Sequence, residues 1–466
     1  MIKNFNAFKK SLQDGREVYY RGKLVKDVTK HPITKLEVAP VEALFDEQYW
    51  FNNPDYGCRT SRFWNIPRNS ADLLERSKIT YEITKELEML WPHIGSDCML
   101  ALRVSTNTLG GVFKERYDAF AKHVITNNLW LACAQIDSKG DRRFRPAEQP
   151  DPDQYVHVVQ EKKDGIVVRG AKLHTSMTAI ANEIVVCPGR AFKEGDEDYA
   201  IAFAVPPNTK GLKLIMRPGI ASEGAKHQAE GPRANWKRMG ESMTVFDNVF
   251  VPWERVFVYK DLKAASGLAL LFALFHRLSA VSYRTALAEH FIGMGKLIAE
   301  ANGVDRAPHI ARDITDLIVY TEIQRACSRM ACYECHIDKR SGVAIPNNIY
   351  TNAGKLYSNS NYMKVMNSLI DIAGGVACTA PSGEDYANKD LRPLVKKYMT
   401  GAVSGEERFK LMLLIREQIA LLGGEEAVIY IHAEGSQEAS IVELYRSYNY
   451  TETKEGIKKM LDRMVF

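Results

Sequence analysis

The feature that most restricts what this 466-residue chain can fold into is a double change of hydrophobic period around a cluster of prolines. Up to residue 145 the pattern is mostly helical. NSADLLERSKITYEITKELEML (69–90) opens on an Asn/Ser cap and carries a helical apolar stripe. Pro146, Pro150 and Pro152 in RPAEQPDPDQ then break the pattern. Beyond them the period is two: QYVHVVQ, DGIVVRGAKLH, ANEIVVCPG, YAIAFAVP, KGLKLIMRPG, SMTVFDNVFVP and RVFVY are short β-branched or aromatic runs separated by Gly, Pro, Asn and Asp. Long helical patterns return from about Leu262, over 262–301, 308–341, 346–374, 405–422 and 453–464. The expected fold is α+β, with an N-terminal helical domain (1–145), a middle β-sandwich or barrel domain (146–261) and a C-terminal antiparallel helical bundle (262–466).

The 62 basic and 57 acidic side chains nearly cancel, to a net charge of +5, and no long block of one sign occurs. That argues against a nucleic-acid partner and for an enzyme acting on a small molecule. The opening MIKNFNAFKKSLQDGREVYY lacks the apolar core and small-residue cleavage site of a signal peptide, so a cytoplasmic protein is expected. LALLFALF (268–275) is much shorter than the roughly 20 residues that span a bilayer, and His276 and Arg277 follow at once. It reads as a buried helix, with no membrane partner.

Eight cysteines in a reducing compartment point to thiols, metal ligands or core fillers rather than disulfides. CSRMACYECH (327–336) has the letters of a c-type haem attachment site and, through Cys327, Cys332 and Cys335, the spacing of a plant-type iron–sulfur loop. The apolar residues Ile310, Ile314, Leu317, Ile318, Ile323, Met330 and Ala331 place this stretch on one long helix from His309 to Ser341, with DKRSG as its stop. On such a helix Cys332 is turned roughly 140° from Cys327, and the three thiols cannot converge on a cluster. They are expected to line a packing face.

The order helical domain, β domain, bundle suggests a flavin enzyme of the acyl-CoA dehydrogenase type. AQIDSKGDR (134–142), DPDQYVHVVQEKKDGIVVRGAKLHTSMTAIANEIVV (151–186), TVFDNVFVPWERVFV (244–258) and DIAGGVACTAPSGEDY (371–386) make the resemblance specific. They resemble the 4-hydroxyphenylacetate 3-hydroxylase / 4-hydroxybutyryl-CoA dehydratase family over nearly the whole chain.

That resemblance implies bound FAD, contacted by Gln135, Asp137, Lys139, Gly140, Asp141 and Arg142, by Thr175 and Ser176, and by Gly435 and Ser436. Gln437 stands where the family has a proline after the last pair. The cationic loop KGDRRFR, with Gly140 among Lys139, Arg142, Arg143 and Arg145, offers N–H groups and charge to a phosphate; a solvated basic loop is the plain alternative. The dehydratase branch also holds a [4Fe-4S] cluster. Its four ligand positions fall here on Met99, Arg103, His276 and Tyr283; Cys98 is one residue out of register, where its partner position would be Leu102. One ligand of four cannot hold a cubane. A catalytic Tyr of that branch falls on Ala280, and a Glu of its C-terminal segment on Ile429. Glu241 matches a family active-site glutamate.

The expectation is therefore an FAD-dependent oxidoreductase without an iron–sulfur cluster, hydroxylase-like or desaturase-like. Glu241 and His276 would move protons and Arg103 would orient an acyl-CoA or a phenolic acid. A flavin-dependent dehydratase or isomerase is the alternative, and a non-catalytic flavin-binding paralogue a third. A separate flavin reductase or electron carrier and a homotetramer are implied by the family.

Overall fold

The computed structural model describes residues 1–87, 93–218, 240–421 and 423–464. Its strands, in chain order, are β1 (Val18–Tyr20), β2 (Lys23–Leu24), β3 (Trp50–Asn53), β4 (Cys58–Ser61), β5 (Leu131–Ala134), β6 (His157–Lys162), β7 (Gly165–Ser176), β8 (Glu183–Val186), β9 (Ile201–Val205), β10 (Leu212–Met216), β11 (Glu241–Pro252), β12 (Val256–Tyr259), β13 (His336–Ile337) and β14 (Ala344–Ile345). They build a six-stranded sheet, β2-β1-β10-β11-β7-β6, and a four-stranded sheet, β12-β9-β8-β5, besides two short hairpins. Alternate residues of the two sheets share one core. Val168, Phe246 and Val249 meet Ile184, Phe203 and Val205, and the rings of Phe203 and Phe246 pack edge to face at 5.8 Å.

Both sheets take strands from ahead of the proline break. β1 runs parallel to β10, and β5 runs parallel to β8. The segment before residue 146 is therefore not helical throughout: Leu131–Ala134 is a fully buried apolar run, too short to show a period that separates strand from helix.

The helices that position the site are α1 (Ser70–Leu87), α2 (Ile94–Leu109), α3 (Gly111–Asn127), α4 (Leu262–Asn302), α5 (Pro308–Tyr333), α6 (Asn348–Ala373), α7 (Gly405–Arg416), α8 (Gly423–His432), α9 (Gln437–Ser447) and α10 (Thr451–Leu461). α1 starts where the Asn69 carboxamide accepts the Asp72 N–H at 3.0 Å. The last residues of the run expected there, 88–90, lie outside the described residues, as does residue 422 of the expected helix 405–422. α4 is capped by Asp261, which accepts from the Ala264 N–H at 2.8 Å, and stops at Gly303 with φ +71°. By length and composition α4 could cross a bilayer. Here it is the central helix of the bundle, packed against α1, α2, α5 and α6, and it buries Arg277 and Arg284 as well as Leu268, Phe272 and Phe275.

The single helix expected over 309–341 ends at Tyr333. Asp338 accepts from the Ser341 N–H and Oγ, and Gly342 turns with φ +68°, so that β13 pairs with β14. DKRSG is thus a hairpin turn and not a helix stop. Asp, Ser and Gly serve both structures, and only the pairing of His336–Ile337 with Ala344–Ile345 decides between them. Cys327 and Cys332 stay on α5, while Cys335 and His336 lie beyond it.

Candidate active site

The antiparallel pair β7 and β11 sets the floor of the site, with Ser176 opposite Glu241 and Thr175 opposite Ser242. Successive side chains point to opposite faces. Thr175 is buried among Ser242 and Thr244, its Oγ1 donating to the Ser242 carbonyl at 2.6 Å. Its side chain thus faces the sheet interior. Ser176 lies on the opposite face and donates to Glu241 Oε1 at 2.7 Å. His174 sits at φ +55° in the bulge between Lys172 and Thr175, and burial and the charges of Lys139 and His432 hold its pKa below the ordinary value. The C-terminal segment and the 139–142 loop therefore both come near His174.

That loop rests on a buried ion pair. Asp137 Oδ1 meets Lys172 Nζ at 2.9 Å and accepts the Val156 N–H, so its carboxylate braces the start of the loop. Gln135 Nε2 donates to the Ala269 carbonyl at 3.4 Å, tying the loop to α4. Lys139 and Gly140 turn outward with φ +72° and +49°. The Asp141 N–H is taken by Gln149 Oε1 at 2.9 Å, and its carboxylate by Arg143, so Lys139 and Arg142 are the exposed cations of residues 139–142. The Lys139 pKa is lowered by burial and by the neighbouring charge of Arg142.

A Cβ at Gly140 would stand 2.2 Å from Gln149 Oε1 in a left-handed backbone conformation. Gly140→Ala is therefore expected to cost about 1–2 kcal/mol from the backbone alone, more if the Gln149 bonds break. Thermal unfolding and flavin titration read both effects.

Across the helices, Asp97 on α2 is fully buried. Arg76 of α1 donates to its Oδ1 at 2.6 Å, Ser279 donates to the same oxygen at 3.1 Å, and His276 Nδ1 stands 3.2 Å from Oδ2. Burial alone would raise this carboxyl, but Arg76 and His276 together hold it below its ordinary value. Phe272 stacks on His276 at 5.2 Å, fixing the ring. His93 lies 5.8 Å from the His276 ring, and burial pushes its pKa down to about 3, so it is neutral.

A second buried network adjoins it. Tyr283 donates to Glu434 Oε1, Arg284 Nη2 donates to Glu434 Oε2 at 2.6 Å, Arg277 holds the Glu434 carbonyl at 3.1 Å, and Lys355 Nζ holds the Gly435 carbonyl at 2.7 Å. Glu434 and Gly435 both take positive φ, +56° and +93°, and Ser436 caps α9. Gly435–Ser436 is thereby docked on α4 and α6.

Lys355 is pushed down to about 7 by burial, with Arg284 and Arg277 acting in the same direction and Glu434 opposing. Between that value and an ordinary lysine pKa the unfolded chain holds a proton that the folded chain lacks, so this group makes stability rise with pH across that window. Lys355→Met is expected to remove that rise. Denaturation at pH 6.5, 8 and 9.5 checks it.

Arg103 is set apart from both networks. Its Nε reaches the Ser341 carbonyl at 3.5 Å, and its charge acts on Tyr56 and Tyr117. Six residues beyond Asp97 on α2, it points about 240° around the axis. Met99 is buried, with its carbonyl taken by Tyr117 at 2.9 Å. A thioether, a guanidinium, an imidazole and a phenol committed to Glu434 do not make the donor set of a cubane cluster, which takes thiolates. Ala280 is buried in the bundle, and Ile429 offers only its carbonyl, to Arg284; the carboxylate at this point comes from Glu434.

Asp97, Arg76, Glu434 and Lys355 were not visible as site residues in the sequence. For Asp97, Arg76 and Lys355 the only signal was a charged residue inside a helical stripe, which a surface position produces equally, and Glu434 falls in the turn between α8 and α9.

Two stacked sheets between helical layers, a cationic loop beside a strand-borne carboxylate and a polar seam along the central helix define an enzyme of the acyl-CoA dehydrogenase-like class. The N-terminal 4-hydroxyphenylacetate 3-hydroxylase family domain matches residues 5–258 and the C-terminal domain residues 265–462. The chain belongs to the 4-hydroxyphenylacetate 3-hydroxylase family. It is 28% identical to the 4-hydroxyphenylacetate 3-monooxygenase oxygenase component of Thermus thermophilus, over 95% of this chain and 94% of that one. It is 26% identical to the 4-hydroxybutyryl-CoA dehydratase/vinylacetyl-CoA-Delta-isomerase of Clostridium aminobutyricum, over 95% of each. Among solved structures, an oxygen-tolerant 4-hydroxybutyryl-CoA dehydratase from N. maritimus superposes with a TM-score of 0.92 at 27% identity, covering 100% of this chain and 96% of that one. An HpaB oxygenase component complexed with FAD superposes with 0.91 at 26% identity, covering 98% of each.

Proposed function

We propose that this protein is the FAD-dependent oxygenase component of a two-component monooxygenase, hydroxylating a phenolic acid with reduced flavin delivered by a separate reductase. The observation that favours hydroxylation over dehydration is the donor set at Met99, Arg103, His276 and Tyr283, which has no thiolate for a cluster. FAD, when bound, supplies the electron and oxygen chemistry. The chain's own residues bind and orient. Lys139 and Arg142 would hold the anionic part of the cofactor and Ser176, braced by Glu241, would meet its ring. His276, oriented by Asp97, would accept or return a proton at the substrate oxygen.

The reading includes a homotetramer. Ile457, Met460 and Leu461 on α10 are exposed, an apolar face suited to a neighbouring copy. Dehydration of a 4-hydroxyacyl-CoA is the second reading, supported by the equally extensive likeness to the dehydratases and by the carboxylate and imidazole of Glu241 and His276.

The test is aerobic turnover with FAD, a flavin reductase and NADH, using 4-hydroxyphenylacetate as the first phenol. A catechol product supports the reading. Conversion of 4-hydroxybutyryl-CoA with no phenol hydroxylated would overturn it, and failure to bind FAD would overturn both.

A further inference from the structure

Away from the seam along α4, three buried thiols converge from elements distant in sequence. Cys98 lies on α2, Cys133 within β5 and Cys187 directly after β8. Their sulfurs all lie within 4.8 Å of one another, with Cys98 Sγ and Cys187 Sγ 3.2 Å apart, and none is in a disulfide. Cys98 and Cys187 have no solvent exposure and Cys133 has 6%. Three sulfurs at about 2.3 Å from one ion form a triangle with sides of about 4 Å. The observed spread brackets that size, and it is too tight for thiolates arranged around a cubane.

We propose that Cys98, Cys133 and Cys187 form a three-sulfur site for a single copper(I) ion. Among the described residues no fourth His, Cys, Asp or Glu joins the group, and burial keeps water away. A structural zinc ion wants four ligands, whereas soft thiolates in threefold array suit copper(I). Lys172 stands behind the sulfurs, its Nζ donating to the Cys187 carbonyl at 3.0 Å and the Gln135 carbonyl at 2.9 Å. The ion replaces thiol protons, which pass to solvent, and nothing is oxidised or reduced. The inference does not depend on the flavin reading.

Copper(I) titrated anaerobically into the reduced full-length protein against a chromophoric chelator is expected to fill one tight site, with X-ray absorption showing three sulfur neighbours at about 2.3 Å. Cys133→Ser should weaken binding tenfold or more, and Cys332→Ala should leave it unchanged. Unchanged affinity in both Cys133→Ser and Cys98→Ser would overturn the site. Zinc(II) held with oxygen or nitrogen neighbours, and copper(I) lost to the chelator, would overturn the choice of metal. If the serine variants fail to fold, the wild-type absorption spectrum decides, since fewer than three sulfurs refutes the geometry.

Discussion

Arg284→Met is expected to lower folding stability by about 3–5 kcal/mol, seen as a fall in the denaturation midpoint at constant slope. The guanidinium is fully buried, donates to Glu434 at 2.6 Å and to Asn359 at 2.6 Å, and reaches the Ile429 carbonyl at 3.1 Å. Without it the buried Glu434 carboxylate keeps, among the described residues, the Tyr283 hydroxyl as donor and only the more distant charges of Lys355 and Arg277. The cost comes from that stranded charge and not from the Coulomb energy of the pair. The double variant Arg284→Met, Glu434→Leu should therefore recover a substantial part of the loss. A single-variant loss below about 1 kcal/mol would show that water reaches the pair. The same substitution should loosen Gly435–Ser436, because Glu434 immediately precedes them and Arg277 holds its carbonyl.

His276→Ala is expected to reduce kcat by about 10²–10⁴-fold with FAD still bound. The ring is placed by Asp97 on one edge and by Phe272 on one face, which would suit the proton-transfer role proposed for it. Asp97→Asn would be a poorer probe, since it also leaves Arg76 without its carboxylate and confuses folding with catalysis. Flavin absorbance confirms that the site is assembled, and the pH dependence of kcat shows whether a titrating group has been lost. Turnover within a few-fold of wild type would remove His276 from the chemistry.

The division of site residues between informative and misleading follows from what a sequence can encode locally. Ser176 and Glu241 sit on a strand pair whose period-two pattern was plain, and the register brought them to 2.7 Å. Thr175, one residue away, has the same chemistry but the opposite face, and the face is set by which sheet side meets the core. Asp137 likewise has its ion-pair partner, Lys172, 35 residues on, outside its own stretch of sequence. The Cys-rich run at 327–336 drew attention by spacing, whereas the thiols that gather are 98, 133 and 187. Proximity in sequence marks a metal site only where the backbone keeps neighbours together.

By itself, the sequence determined the succession of helical, β and helical segments, the family, the cationic 139–142 loop and the strand-borne Ser176 and Glu241. These are properties of period, composition and short-range turn chemistry. Tertiary structure alone decided that β1 and β5 join the sheets, that α5 stops at Tyr333, that Asp97 orients His276 and that three distant cysteines meet. Each of these depends on contacts between elements far apart in the chain, where burial and partner charge, not local propensity, fix which arrangement has the lowest free energy.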